Sequence, residues 1–467
     1  VSQMLKYEME ARHYTLDEIR LSKFLERGYI CYQTPICNNN EHDRLNSLMD
    51  RGNELRNLSG SNEILALLAS AEINSKRPEE MPFLSGSSFL LRQLKHPDEV
   101  LWLRKIYGSA FHLIGVYSSE TSRRNNLNRH CGMNSEQVQQ VIERDEGEEE
   151  EYGQKLRDTF YLADFFIEEV GDGQEVVANQ LKRYLNLLFA EGMVSPTKDE
   201  YGMQLAYTAA LRSTDLARQV GAAILNSYGE VVSIGANEVP APGGGQYWGD
   251  SGEDHRDFKE GYDSNVKKIR EILSELLSII EKEYETELSE ITPSKLKGTQ
   301  FMNITEYGRS VHAEMEALLS AGRIGSSTKG CILYTTTFPC HNCAKHIVGA
   351  GIKRVVYIEP YPKSLAKDLH HDAIVFPEND NANSSKVRFE PFVGVAPKKY
   401  WILFSNQSVE GEKLERKDKE GNFVNAPLGL RLKAPSFTYI DRELSAAGAI
   451  RTVLENWTLD NEKEEDK

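Results

Sequence analysis

Short apolar runs alternate with amphipathic segments through the first part of the chain. The runs Ala110–Tyr117 and Ala163–Ile167 have the length and apolar content of strands buried in a parallel sheet. Helical patterns at Asp98–Tyr107 and Glu175–Phe189 separate them. This alternation predicts an α/β domain with doubly wound layers over residues 1–192.

A second α/β domain is predicted from residue 201 onward. Tyr201–Gln219 has the spacing of a helix, and Val220–Leu225 and Glu230–Gly235 read as the two strands of a β-hairpin. The next elements are predicted to be a helix over Val311–Ala321, a strand over Cys331–Thr336, a helix over Cys340–Gly349 and a strand over Arg354–Ile358. Two strands joined by a crossover helix form a βαβ unit.

Residues 238–300 interrupt this pattern and are predicted to be an insertion. The Gly/Pro-rich stretch Pro240–Gly245 precedes a charged segment whose apolar positions have helical spacing. Those positions are Val266, Ile269, Leu273, Leu276, Leu277 and Ile280. Such a stripe predicts a packing face, either within the chain or at a contact between subunits. After the second domain, residues 406–467 are predicted to form an extension that ends in an acidic, disordered tail.

The charge balance narrows the class of substrate. The 467 residues carry a formal net charge of −16. A protein that grips a nucleic-acid backbone needs a basic surface, and only short clusters such as Arg123–Arg124 and Lys398–Lys399 occur here. The balance argues against a nucleic-acid partner and favours a small anionic ligand that meets a few local basic groups.

The composition is that of a soluble globular protein, with 40% hydrophobic and 27% charged residues. No apolar run is long enough to span a bilayer, and residues 1–20 lack a signal-peptide pattern. The six cysteines show no spacing typical of a disulfide framework. We therefore expect a cytoplasmic protein with no membrane partner.

Four residues form a metal-site pattern. His312 and Glu314 are two positions apart at the start of a predicted helix, and Cys340 and Cys343 are one helical turn apart. Three ligands, His312, Cys340 and Cys343, can bind one Zn²⁺ ion and leave its fourth position to water, which is the catalytic arrangement. Glu314 can then carry protons between that water and a substrate.

Each half of this pattern has a simpler explanation by itself. Cys-x-x-Cys is more often a structural zinc half-site or a redox pair, and His-Ala-Glu alone indicates little. Together, with a predicted strand ending just before Pro339, they give the His-x-Glu…Pro-Cys-x-x-Cys signature of zinc nucleobase deaminases.

On these residues, the region 201–405 resembles the cytidine/deoxycytidylate deaminase superfamily. Arg212–Ala223 is similar to the family's first helix and strand, and Ile234–Asn237 to its sugar-binding segment. The resemblance implies a three-layer α/β/α domain in which Asn237 hydrogen-bonds the deoxyribose hydroxyl. A cap at the end of a strand is the alternative role for Asn237.

The resemblance also implies that Tyr361, just past a predicted strand, packs against the base. Arg212 and Arg218 are candidate phosphate contacts, because a guanidinium group matches the geometry of phosphate oxygens. Each could equally be an arginine on the surface of a helix. A family of this kind also implies a homo-oligomer.

The N-terminal part resembles a P-loop nucleotide-kinase fold, although no Gly-x-x-x-x-Gly-Lys-Ser/Thr phosphate loop occurs in the sequence. A kinase-like domain joined to this deaminase resembles the bacterial anti-phage dCTP deaminases, which implies conversion of dCTP to dUTP and nucleotide depletion during infection.

Three alternative functions stay open. They are a dCMP deaminase of pyrimidine metabolism, a polynucleotide cytosine or adenine deaminase acting on a flipped-out base, and a nucleotide sensor whose deaminase fold is regulatory.

Overall fold

The computed structural model describes residues 1–27, 32–77, 86–148, 152–169, 174–284, 291–293, 295–296, 299–361, 363–377, 385–407, 417–424 and 439–450. The chain divides into two compact units, Val1–Ser195 with Val393–Lys467, and Pro196–Phe392. The predicted acidic tail lies outside the described residues. The domain boundaries expected from the sequence, at residues 192, 201 and 405, stay predictions. Among the described helices, none combines the length and apolar character that a bilayer crossing requires.

The first unit begins with helices among which four short strands are interspersed. In chain order they are α1 (Ser2–Glu10), β1 (Thr15–Arg20), α2 (Ser22–Glu26), α3 (Glu41–Ser59), α4 (Ile64–Ser75), β2 (Ser87–Arg92), α5 (Pro97–Tyr107), β3 (Ile114–Ser118), α6 (Glu120–Cys131), α7 (Ser135–Glu146), α8 (Leu156–Phe160), β4 (Phe165–Glu169) and α9 (Gln174–Leu188). The predicted helices at 98–107 and 175–189 and the strands within 110–117 and 163–167 are therefore present, and β3 and β4 pair in parallel.

The second unit carries the larger sheet. Its elements are α10 (Lys198–Ala210), β5 (Gly221–Leu225), β6 (Val231–Ala236), α11 (Asp257–Glu260), α12 (Ser264–Tyr284), α13 (Ala313–Arg323), β7 (Ile332–Thr337), α14 (His341–Gly349), β8 (Arg354–Glu359), α15 (Ala366–Leu369), β9 (Ile374–Val375) and β10 (Val387–Pro391). The described strands form one six-stranded sheet in the order β6-β5-β7-β8-β10-β9.

That sheet contains both predicted supersecondary units. β5 and β6 pair antiparallel as the hairpin, and β7 and β8 pair in parallel with α14 as the crossover helix. The core beneath them is apolar, and its fully buried members include Leu333, Val355 and Phe389. The mixed α/β architecture predicted for this region is confirmed.

The chain then returns to the first unit through β11 (Gly394–Val395) and α16 (Pro397–Phe404). β11 pairs antiparallel with β4, so the described strands of this unit form a three-stranded sheet, β11-β4-β3, and a separate two-stranded sheet, β1-β2. The doubly wound, kinase-like arrangement expected for residues 1–192 stays a prediction.

The helix predicted over Tyr201–Gln219 is shorter than expected at its C-terminal end. Thr197 and Glu200 form a reciprocal capping box that starts α10 at Lys198, three residues before the predicted start. The helix ends at Ala210, because polar side chains beyond it bind the local backbone instead. The Asp215 carboxylate accepts the backbone N–H groups of Ala217 and Arg218, which is a turn that competes with a helix.

The predicted stripe of the insertion lies on α12, and only part of it is covered. Ile269 and Leu273 are buried, whereas Val266, Leu276 and Ile280 are exposed. The packing face expected from the sequence is therefore confined, within the described residues, to the N-terminal half of the helix.

Candidate active site

His312 lies directly before α13, and two contacts fix it there. Val311 exchanges both backbone hydrogen bonds with Glu238, which follows strand β6. α13 also packs very closely on β6, since a Cβ added to Gly235 would lie 2.3 Å from the carbonyl oxygen of Ala313. Only glycine permits that approach, so the sheet determines where the first turn of α13 begins.

Cys340 and Cys343 lie at the start of α14. β7 ends at Thr337, and Cys340 caps the helix by accepting the backbone N–H of Cys343 on its sulfur at 3.4 Å. The unpaired N–H groups of a helix N-terminus favour a negative charge, and a thiolate is the form of cysteine that binds metals. A side-chain hydrogen bond with Cys343 and the nearby His312 lower the pKa of the Cys340 thiol.

The three side chains come together as a metal-ligand set. His312 Nδ1 lies 3.3 Å from Cys340 Sγ and 3.4 Å from Cys343 Sγ, and all three atoms lie within 4.8 Å of one another. A tetrahedral zinc bound at about 2.0 Å to nitrogen and about 2.3 Å to sulfur separates such ligand atoms by about 3.5 Å. One nitrogen and two sulfurs at this spacing fit zinc, and three protein ligands leave a fourth position open.

Glu314 lies in the first turn of α13 and is 4% exposed. Burial raises the pKa of its carboxyl group to about 7. Since Glu314 borders the same cavity as His312 and Cys340, its carboxyl group can exchange protons with a molecule bound there. The structure thus brings together all four residues of the sequence pattern.

The cavity extends outward from these residues and includes three of the four predicted substrate contacts. Asn237, Arg218 and Tyr361 line it. The Arg218 guanidinium is exposed and its central carbon lies 5.4 Å from the centre of the Tyr361 ring. A cation and an aromatic ring beside a buried polar end suit a ligand that combines an anion with a planar base.

Asn237 is buried, and its amide group already has backbone partners. Its oxygen accepts the N–H of Val220 at 2.7 Å, and its nitrogen donates to the carbonyl of Arg218 at 2.8 Å. The second amide hydrogen is the remaining donor for a ligand. Asn237 thus holds the chain that carries Arg218, in addition to bordering the cavity.

Arg212 is not among the residues that line the cavity. Its guanidinium donates to the Gln246 side chain at 2.8 Å and to the carbonyl of Tyr247 at 3.2 Å, and it stacks on Trp248 at 3.7 Å. These contacts join the end of α10 to the inserted segment. The predicted contact between Arg212 and a phosphate stays untested, and the geometry favours a structural role.

Sequence reasoning missed the contribution of the insertion and of the segment before His312. Further residues that line the cavity are Asp215, Asp257, Asp263, Asn265, Thr305 and Arg309. Arg309 gives the cavity a second guanidinium group besides that of Arg218. The Arg309 side chain also forms an ion pair with Asp257 at 3.2 Å. The nearness of Arg309 to His312, three positions later in the sequence, was the one signal that could have indicated a place at the cavity. The position of residues 257–265 follows only from tertiary packing.

Comparison with known proteins gives one family. The sequence profile described as "Cytidine and deoxycytidylate deaminase zinc-binding region" matches residues 196–359. The deoxycytidylate deaminase of Enterobacteria phage T2 is 31% identical over 172 residues, which are 35% of this chain and 80% of that protein. The human deoxycytidylate deaminase is 27% identical over 201 residues, or 43% of this chain and 78% of that protein.

Among solved structures, the dCMP deaminase from the cyanophage S-TIM5 in apo form resembles this chain. The match covers 43% of this chain and 100% of that chain, at 18% sequence identity and a TM-score of 0.25. The family match therefore rests on the sequence relatives.

Proposed function

The chain belongs to the cytidine and deoxycytidylate deaminase family, and we propose that it hydrolyses the amino group from the cytosine base of a free deoxycytidine nucleotide. One observation carries this proposal. The His312, Cys340 and Cys343 ligand atoms and the buried Glu314 carboxyl meet at one end of a cavity whose outer wall holds exposed cations.

In this proposal His312, Cys340 and Cys343 hold the zinc. A bound zinc ion supplies a water molecule that is nucleophilic at neutral pH. These three ligands lie at or next to the N-termini of two helices, which fix their positions relative to one another. The reaction replaces the amino group of cytosine with oxygen from water and releases ammonia.

Glu314 is the proposed proton carrier. Its carboxylate takes one proton from the attacking water and gives it to the ring nitrogen, and then takes the remaining proton from the oxygen that has added to the base and gives it to the departing ammonia. A carboxyl group whose pKa lies near neutrality exchanges protons in both directions with little cost. Burial therefore suits Glu314 to both halves of the reaction.

The outer wall supports a nucleotide over a nucleoside. Arg218 and Arg309 can approach a phosphate, and the Tyr361 ring can pack on the base. The names of the relatives favour dCMP as the substrate. The dCTP preference, the role in anti-phage defence and the kinase-like N-terminal domain rest on the whole-chain resemblance. The homo-oligomer rests on the resemblance to the deaminase family, and the cytoplasmic location on composition and cysteine spacing.

The test is ammonia release with dCMP, dCTP, deoxycytidine and single-stranded DNA, using the wild-type protein and Arg218→Ala. A charge-assisted hydrogen bond to phosphate is worth about 1.5–3 kcal/mol, so kcat/KM for the nucleotides should fall about tenfold or more in the variant. Deoxycytidine, which lacks the phosphate, should change little.

The matched control is Arg270→Ala, which removes an exposed arginine of α12 that does not line the cavity. The nucleotide proposal is wrong if deoxycytidine or DNA is the best substrate, or if Arg218→Ala lowers all activities equally. The ratio of kcat/KM for dCTP and dCMP decides between the triphosphate and the monophosphate.

A further inference from the structure

The segment that carries Arg218 is a loop between α10 and β5. We call residues 213–220 the Arg218 loop. Asp215, Ala217, Arg218 and Val220 all line the cavity. Because this segment is neither helix nor strand, the direction of Arg218 depends on the side chains that hold the loop.

Glu238 holds the first half of the loop. One carboxylate oxygen of Glu238 accepts both the backbone N–H of Thr214 at 2.9 Å and the Thr214 hydroxyl at 2.7 Å. The other oxygen accepts the backbone N–H of Val239 at 2.9 Å. A carboxylate that is 1% exposed is stable only when such donors surround it.

The same residue is tied to the proposed metal end of the cavity. Its backbone N–H and carbonyl pair with Val311, one position before His312, at 3.2 and 3.0 Å. Asn237, its neighbour, holds the other half of the loop through Arg218 and Val220. Two consecutive residues at the end of β6 thus connect the Arg218 loop with the chain that leads into α13.

We propose that Glu238 is a positioning residue for the nucleotide phosphate. Through Thr214 it fixes the Arg218 loop at a set distance from His312, so that Arg218 meets the phosphate when the base lies at the inner end. This inference rests on the proposed function. It assigns a substrate-directed role to a buried carboxylate that does not itself line the cavity.

The decisive variant is Thr214→Val, because Thr214 is exposed and its hydroxyl is one of the two groups of the loop that Glu238 holds. Loss of one hydrogen bond that orders the loop should raise KM for the nucleotide roughly threefold to tenfold and leave kcat unchanged. The KM for deoxycytidine should not change. Thr214→Ser keeps the hydroxyl and should restore the wild-type KM.

A control variant and a second test variant separate a positioning role from a general effect on stability. Thr208→Val removes an exposed hydroxyl of α10 whose partner among the described residues, Gln204, lies in the same helix, and its KM should equal that of wild type. Glu238→Gln should raise the nucleotide KM in the same direction as Thr214→Val, with the zinc content unchanged.

A double variant tests the link to Arg218 directly. In an Arg218→Ala background, Thr214→Val should raise KM no further, since the group that the loop positions is gone. Additive effects would overturn the inference, as would a Thr214→Val variant with an unchanged nucleotide KM or with a proportional loss for deoxycytidine. If Arg218→Ala itself has no nucleotide-selective effect, the proposed function fails first and this inference with it.

Discussion

The two ends of the cavity are built in different ways. The inner end consists of His312, Glu314, Cys340 and Cys343, which lie in or next to the first turns of two helices packed on one sheet. The outer wall consists of charged and polar side chains from loops and from the insertion, such as Arg218. The inner end is defined by close packing of backbone on backbone, and the outer wall by single side-chain hydrogen bonds and ion pairs.

This difference indicates how each end should respond to substitution. A close-packed backbone tolerates little change, so errors at the inner end should abolish chemistry or folding. Neutral polar contacts near solvent contribute about 0.5–1.5 kcal/mol each and hydrogen bonds to a charged phosphate about 1.5–3 kcal/mol, so changes in the outer wall should weaken affinity without abolishing chemistry. The predictions below test that separation, from the largest expected effect to the smallest.

The largest effect is expected from the proposed zinc ligands. The Cys340→Ser/Cys343→Ser variant should bind no zinc and show no measurable deamination, because a hydroxyl group at neutral pH is a poor substitute for a thiolate ligand. Metal analysis of the purified protein and ammonia release measure both. Cys331→Ser, which changes a buried cysteine outside the cluster, is the control and should keep one zinc per chain. Full zinc content in the double variant would contradict the ligand assignment.

Glu314→Gln should lose turnover while it keeps the zinc and binds the nucleotide. General acid–base catalysis is typically worth about 10²–10⁴-fold in rate, and kcat should fall by at least the lower figure. Glu316→Gln is the matched control, since Glu316 is also buried on α13 but pairs with Arg323 and does not line the cavity. A decrease in kcat below tenfold for Glu314→Gln would mean that another group carries the proton.

A pair of glycine substitutions tests whether backbone packing defines the inner end. Gly235→Ala places a methyl group against the backbone of Ala313 and Ala317, and should lower the free energy of unfolding by about 3 kcal/mol. Gly322→Ala, on α13 with no atom near its added Cβ, should instead raise it by about 0.5 kcal/mol. Chemical denaturation measures both. If both substitutions changed the free energy of unfolding equally, the close contact between β6 and α13 would not be what positions the inner end.

The smallest effect on catalysis is expected at Arg212. Since its guanidinium contacts Gln246, Tyr247 and Trp248 rather than the cavity, Arg212→Ala should change the nucleotide KM by less than about twofold. Its thermal midpoint should fall, because a stacked and partly buried guanidinium is lost. A tenfold rise in KM with an unchanged midpoint would instead support the phosphate contact expected from the sequence.

Much of the fold was predictable from local patterns. Two short strand-like segments predicted the β5–β6 hairpin, and apolar runs around a helical segment predicted the parallel pair β7 and β8. The zinc-dependent deaminase predicted from the His-x-Glu and Pro-Cys-x-x-Cys spacing is confirmed by the family match. The end of α10 was predicted wrongly, because the turn at Asp215 depends on polar side chains that helical periodicity does not count.

What the sequence determined by itself is the chemistry at the inner end. Residues two or three positions apart share a helical turn, so local spacing pairs His312 with Glu314 and Cys340 with Cys343. The combined signature then assigned both pairs to one site, although 27 residues lie between His312 and Cys340. Only the tertiary structure decided the outer wall. Asp257 and Arg309 meet at the cavity although 51 residues separate them, and Glu238 reaches Thr214 across 23. Such contacts depend on how the sheet brings distant loops together, which the spacing of residues along the chain does not encode.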